Sequence, residues 1–180
     1  MRSVIFLNGA SSAGKTTLAK ALQDRLPEPY LHLGLDTVFG SVPDKWGSTG
    51  EFSADGFAYT PVPDGLSITY GDAGERILRG FHRAVAALVA TGVGVIVDEV
   101  LLDGRARDDW REVLAPFGPL YVGVHCDLDE LERREKERYS ARVHGLARWS
   151  ALHAHEGMAY DLTVDTTSVP AAELAALITG

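Results

Sequence analysis

The sequence predicts an α/β protein in which a parallel sheet of about five strands is covered by helices on both faces. Three observations carry that expectation. Short apolar runs alternate along the chain with helical patterns, the mark of successive βαβ units. One run, residues 93–97, is apolar throughout, as a strand buried on both faces must be. The 180 residues are 46% hydrophobic and 23% charged, which suits a single domain, 1–180, built around one core.

The elements follow in order. Residues 3–8 are a strand closed by a Gly-rich turn; Leu18, Ala19, Leu22 and Leu26 then recur at helical spacing until Pro27 and Pro29 stop the helix. Residues 30–35 form a second strand, and Asp36 stands where a helix N-cap belongs, ahead of Thr37. From 41 to about 71 the chain turns to Pro, Gly, Asp and Ser with scattered aromatics. This reads as an inserted loop with a small hairpin around 51–60, and a connection of that length is expected to serve as a lid or binding surface. Ile77, Phe81, Val85, Leu88 and Val89 mark a helix ending at Thr91-Gly92, and Asp98 and Glu99 close the strand that follows. A helix over 104–114, a strand over 120–126 and a charged helix from 127 to about 139 come next. A short strand, 162–165, and a helix over 170–178 with Pro170 in its first turn complete the chain.

Composition excludes several function classes. The formal net charge of -8 gives no general attraction to nucleic-acid phosphates, and no basic cluster is interleaved with aromatics for stacking on bases. No apolar run of about 18 residues is present. Residues 4–7 are too short for a signal-peptide core and lead into a Gly-rich loop, so a cytoplasmic location is expected. The single cysteine, Cys126, ends an apolar run and reads as a structural thiol.

Gly9-Ala10-Ser11-Ser12-Ala13-Gly14-Lys15-Thr16 matches G-x-x-x-x-G-K-[ST] between a strand and a helix, the setting this phosphate-binding loop requires. Backbone N–H groups and the helix start would face the phosphates of a nucleotide such as ATP, with Thr17 close behind. Lys15 would reach the β and γ phosphates, and the Thr16 hydroxyl would bind Mg2+. The fold class thereby sharpens to a P-loop kinase-like three-layer αβα sandwich. Asp98 ends a buried strand, where a second metal-side carboxylate belongs. Glu99 alternates to the other face, and its role is open. Asp36 stands where a carboxylate could take a proton from an acceptor hydroxyl, or simply cap a helix. Sheets of this kind bind ligands beyond the carboxyl ends of their strands, where Asp36, Asp98 and Asp165 are all expected beside the loop.

Arg134, Arg138 and Arg142 recur every four residues and would share one helical face, suiting an arginine-rich lid over about 133–145; equally, Glu130, Glu135 and Glu137 could pair with this cluster on a solvated helix. His153 and His155, two apart with no cysteine nearby, suit capping better than metal binding.

Taken together, the chain resembles the chloramphenicol phosphotransferases, ATP-dependent antibiotic-resistance kinases. The likeness is carried by Leu7-Asn8 and the loop after it, Leu26-Pro27-Glu28-Pro29, Gly34-Leu35-Asp36-Thr37, Ile96-Val97-Asp98-Glu99-Val100, Val122-Gly123-Val124-His125-Cys126-Asp127, His155-Glu156-Gly157-Met158-Ala159-Tyr160-Asp161 and Val164-Asp165-Thr166-Thr167. The resemblance implies that Asp36 is the catalytic base, that Arg138 and Arg142 are lid arginines contacting ATP, and that adenine sits near Thr166 and Thr167. It also implies a hydroxylated small-molecule acceptor, an antibiotic above all. Glu99 stands where a second Asp is usual, and the altered stretch 41–70 should shape the acceptor pocket, with Phe39, Trp46, Phe57, Tyr59, Tyr70 and Glu99 as candidate acceptor residues; aromatics in a loop are as often its own small core. A metabolic kinase of the shikimate or gluconate type would need arginines or lysines there for an anionic acceptor, and the region offers Lys45, Arg76, Arg79 and Arg83. A nucleotide-dependent switch is the reading from another class.

Overall fold

The computed structural model describes residues 2–138 and 144–180. Its centre is a five-stranded parallel sheet of order β2-β5-β1-β6-β7, formed by β1 (Val4–Gly9), β2 (Tyr30–Gly34), β5 (Gly94–Glu99), β6 (Leu120–His125) and β7 (Leu162–Asp165). β1 lies in the middle, with Leu7 level with Asp98 of β5 and Val122 of β6.

Every residue of β1 is buried, and strand alternation divides them between two cores. Ile5 and Leu7 meet Leu18 and Leu22 of α1 (Lys15–Arg25), Leu131 of α5 (Leu128–Glu137) and Ala175 of α7 (Ala171–Thr179). Val4 and Phe6 face Val85 and Val89 of α3 (Asp72–Ala90) and Trp110 and Leu114 of α4 (Gly104–Leu114). Each such aliphatic or aromatic side chain contributes roughly 1.5–3 kcal/mol on burial, which fixes the three layers.

The segment between β2 and α3 departs from the expected loop. It opens with α2 (Leu35–Ser41) and closes with an antiparallel hairpin of β3 (Phe57–Val62) and β4 (Gly65–Tyr70), further along the chain than residues 51–60. The hairpin forms because Phe57 and Ile68 bury a third apolar cluster with Leu35, Val38, Leu78 and Leu102. Tyr70 anchors its end by donating to Asp103 Oδ1 at 2.8 Å, while Asp103 also caps α4 by accepting from the Ala106 amide.

A helix that the sequence pattern did not announce, α6 (Leu146–His153), follows the charged helix. The buried Glu135 carboxylate of α5 accepts from the amides of Gly145 and Ala147 at 2.9 and 2.8 Å and so caps the start of α6. The hairpin turn joins the same spot: the Leu66 amide donates to the Gly145 carbonyl, and Gly65 and Gly145 meet backbone to backbone. Both have positive φ, and a β-carbon on Gly65 would overlap the Gly145 carbonyl oxygen. Pro170 is the N-cap of α7 rather than a first-turn residue, and Cys126 is half-buried against the first core. Among the described residues, no helix is long and apolar enough to cross a membrane.

Candidate functional site

β1 delivers the loop 9–16 to the start of α1. Gly14, the left-handed N-cap of that helix, offers no side chain to its first amides, and Ser12 also has positive φ. The Ser12 hydroxyl is buried without a hydrogen-bond partner among the described residues. Uncapped amides at a helix start together with an unpartnered buried hydroxyl fit an anion such as a phosphate. From behind, the loop is braced. Ser150 of α6 accepts from the Ser11 amide, and the Thr166 hydroxyl donates to the Ala13 carbonyl at 2.7 Å.

Lys15 is buried and arches over the loop, donating to the Ala10 carbonyl at 2.8 Å with Nζ 3.9 Å from Asp98 Oδ1. Burial pulls its pKa down, the Arg138 charge adding to the effect, while the carboxylates of Asp98, Asp36 and Glu99 oppose it. The Thr16 hydroxyl donates to Asp98 Oδ2 at 2.8 Å. The hydroxyl of the loop and the carboxylate ending β5 are thus neighbours, a pair of hard oxygen donors of the kind Mg2+ takes alongside phosphate oxygens and water.

His32, on β2, was not anticipated from the sequence. Its Nε2 lies 3.0 Å from the same Asp98 oxygen. Burial pushes the Asp98 carboxyl up, but the hydrogen bonds of His32 and Thr16 and the Lys15 charge outweigh it and leave the group below its ordinary value. A charged oxygen therefore sits beside the Thr16 hydroxyl. β2 approaches closely enough for this because residue 34 is glycine: a β-carbon there would overlap the Asp98 carbonyl oxygen.

Asp36 lies in the first turn of α2, one residue inside the helix, and Gly34 rather than Asp36 is the N-cap. The Thr37 hydroxyl accepts from the Gly34 amide, which leaves the exposed Asp36 side chain out of the capping. Asp36 lines the same cavity of about 490 Å3 as Ser11, Ser12, Lys15, Thr16, His32 and Asp98. The same cavity is also lined by Phe39, Tyr59, Ile68, Val100 and Leu146. The Tyr59 hydroxyl is near enough to Asp36 that, after burial, its charge helps to raise the tyrosine pKa.

Other expected site residues lie elsewhere. Trp46 stacks on Phe52, ring centroids 4.9 Å apart, so it belongs to the small core of its own loop. Phe57 is buried between Phe39 and Tyr70, and Tyr70 is committed to Asp103, so neither lines the cavity. Glu99 is buried on the other face of β5, towards Trp110. Asp165 turns away to accept from the Thr167 amide, and Thr17 is exposed on α1 outside the cavity. Arg134 donates to the Thr166 carbonyl at 2.7 Å and pairs with Glu130, bracing the loop beside Gly14. Thr167 accepts from the Asp127 amide, on a shallow surface pocket next to the loop. Arg138, just past the end of α5, does line the cavity. The shared helical face is broken at that point, because α5 ends at Glu137. Arg142, with residues 139–143 of the expected lid, lies outside the described residues. Arg133 pairs with Glu130 and Glu137, as on a solvated helix.

The stretch ending in Tyr160-Asp161 is a brace. Asn8, fully buried, donates to the Tyr160 hydroxyl at 2.6 Å and to the Ala154 carbonyl, and accepts from the Leu101 amide. The Tyr160 hydroxyl lies 2.7 Å from His155 Nδ1, and burial lowers the pKa of that imidazole to about 4 with help from the His125 and Lys15 charges.

A protein with this loop, sheet and carboxylate set is a P-loop phosphotransferase. The family model described as "Chloramphenicol phosphotransferase-like protein" matches residues 2–180, and the chain belongs to that family. It is 35% identical over 185 residues to proteins of two Mycobacterium tuberculosis strains, CDC 1551 and H37Rv, covering 96% of this chain and 78% of theirs; each bears the name "Putative O-phosphotransferase". Among solved structures it is similar to a sugar kinase from Janibacter sp. (TM-score 0.66, 19% identity, 98% and 94% of the two chains). It is also similar to the tunicamycin resistance protein of Deinococcus radiodurans (0.64, 16%, 99% and 94%). The M. tuberculosis APS kinase in complex with AMPPNP and APS is a third (0.60, 17%, 98% and 94%). At these identities the structural likenesses establish the fold.

Proposed function

We propose that this protein is an ATP- and Mg2+-dependent O-phosphotransferase that moves the γ-phosphoryl group of ATP to a hydroxyl of a small molecule, chloramphenicol or another antibiotic, in the cytoplasm. The observation that carries the reading is the single cavity in which Lys15, Thr16 and Asp98 face Asp36.

The phosphates lie along residues 9–16 with Lys15 on the β and γ oxygens, and adenine extends past Arg134 towards Thr166 and Thr167. Thr16 and Asp98 would hold Mg2+, which would supply charge neutralisation on the phosphates. Asp36 orients the acceptor hydroxyl and takes its proton late, while the hydroxyl oxygen bonds to the γ phosphorus and the bond to the β–γ bridging oxygen breaks, releasing ADP. Arg138 stabilises the transferring group from the cavity.

An uncharged acceptor suits this geometry. Among the described lining residues the cations are Lys15 and Arg138, both assigned to the phosphates in this reading. A gluconate or shikimate type of acceptor would call for a further cation in the cavity. The family description supports the antibiotic class.

Asp36→Asn is the test, run against hydroxylated antibiotics and metabolites with ATP and Mg2+ and read by the mass shift of the acceptor. The variant should keep ATP binding and lose about 10²–10⁴-fold in transfer. Near-normal turnover would remove Asp36 as the base. Inorganic phosphate as the sole product, with every acceptor unmodified, would favour a nucleotide switch.

A further inference from the structure

β2 is an edge strand of the sheet, yet the half-buried His32 on it is turned inward. Strand alternation places His32 on the same face as Tyr30, which packs in the core beneath α1, and the parallel pairing sets Gly34 level with Asp98. The imidazole thereby borders the cavity that Thr16, Asp98 and Asp36 share. His32 Nε2 and the Thr16 hydroxyl lie on one and the same oxygen of Asp98, Oδ2, at 3.0 and 2.8 Å. An ionised carboxylate can only accept, so the imidazole is a donor there. The other oxygen, Oδ1, has Lys15 Nζ at 3.9 Å and no hydrogen bond among the described residues, since Lys15 donates to the Ala10 carbonyl instead.

We infer that His32 is a positioning residue, whose imidazole fixes the Asp98 carboxylate so that Oδ2 keeps the Thr16 hydroxyl while Oδ1 stays free for Mg2+ or a water bound to it. The inference rests on the nucleotide and Mg2+ reading given above. Among the described residues no three His, Cys, Asp or Glu side chains gather as a metal site, so the ion would rely on phosphate oxygens, Thr16 and one carboxylate. With so few protein donors, the aim of that carboxylate decides the affinity. The Lys15 ammonium is the competitor: a carboxylate tethered by Thr16 alone could turn and close the 3.9 Å gap, drawing both groups away from the phosphates and the ion. A second donor on Oδ2 opposes that turn. Hydrogen-bond partners of metal-binding side chains typically set metal affinity by about 10–100-fold.

Mn2+ is the probe, titrated into the protein in excess over ADP, with free Mn2+ read from its EPR line. His32→Phe keeps a ring of similar shape and removes the donor, whereas His32→Gln places an amide N–H near the Nε2 position. The Mn2+ Kd of the ADP complex should rise about tenfold or more in His32→Phe and return to within about threefold of wild type in His32→Gln. ADP affinity in EDTA, which a general disturbance of the site would lower, should be the same in all three proteins. With ATP and an acceptor, the Mg2+ concentration for half-maximal transfer should rise in step with the Mn2+ Kd. His32→Leu serves if His32→Phe fails to fold. Equal Mn2+ affinity in wild type and His32→Phe, an equal loss in His32→Gln, or a matching loss of ADP affinity in EDTA overturns the inference. Absence of Mn2+ binding to the wild-type ADP complex overturns it together with the Mg2+ reading beneath it. The expected Mn2+ pattern without transfer to any acceptor supports the role of His32 and counts against the phosphotransferase reading alone.

Discussion

Glu99 is held in an environment far from ordinary carboxylate chemistry. It is buried on the face of β5 opposite the cavity, and burial, then the Asp98 and Asp36 charges, push its pKa well above the usual range, with Lys15 opposing. The Trp110 indole N–H approaches and offsets a little of that rise. Neither Glu99 Oε1 nor Trp110 Nε1, however, is in hydrogen-bond geometry. A carboxyl that stays protonated when folded and ionises when unfolded takes stability away as pH rises from its unfolded pKa towards its folded one, by up to about 1.4 kcal/mol per pH unit. Glu99→Gln keeps the shape and removes this dependence. Its melting temperature relative to wild type should therefore climb as pH rises above the ordinary carboxylate range in thermal scans, and a constant difference would show that Glu99 is ionised when folded. Strand alternation was enough to separate Asp98 from Glu99 in the sequence, because a period of two needs only the register of one buried run. His32 escaped notice for the converse reason: a lone histidine in a short strand carries no signal until β2 is laid beside β5, with Gly34 level with Asp98.

Among the elements, α6 depends on a single side chain. Glu135 closes the amides of Gly145 and Ala147, and the helix it caps supplies Ser150 to the phosphate-binding loop. Glu135→Ala leaves those amides unpaired at a buried helix start and should cost roughly 3 kcal/mol. In a chain of this size the loss would appear as a drop of about 6–12 °C in melting temperature, with nucleotide affinity falling in the same variant. A drop of only a degree or two would mean that water replaces the carboxylate. The strongly periodic helices and buried strands were legible because each advertises its own core face. α6 was not, since its start is dictated by a residue ten positions earlier, and the aromatic residues of 41–71 were legible only as binding or packing. Tertiary partners sorted them. Trp46 took Phe52, Tyr70 took Asp103, and Tyr59 was left to the cavity.

On the scale of the whole molecule, the parallel sheet gathers the phosphate loop, Asp36 and Asp98 at one end, as the strand-loop-helix order implied; Asp165, equally at a strand end, faces away. Nucleotide binding should therefore stabilise the entire fold. ATP with Mg2+ at a hundredfold its Kd adds about 2.7 kcal/mol. Differential scanning fluorimetry should show that shift, weakened by EDTA and abolished by Lys15→Ala; an equal shift in the lysine variant would place the nucleotide elsewhere. The contact of Gly65 with Gly145 sets a further condition. Two backbones meeting without side chains between them leave little slack, so a shift of the hairpin turn would press on the cap of α6, whose Ser150 braces the phosphate loop. On the proposed reading, nucleotide and acceptor would share that joint. By thermodynamic reciprocity, whatever factor one substrate adds to the other's affinity through that joint is returned in equal measure.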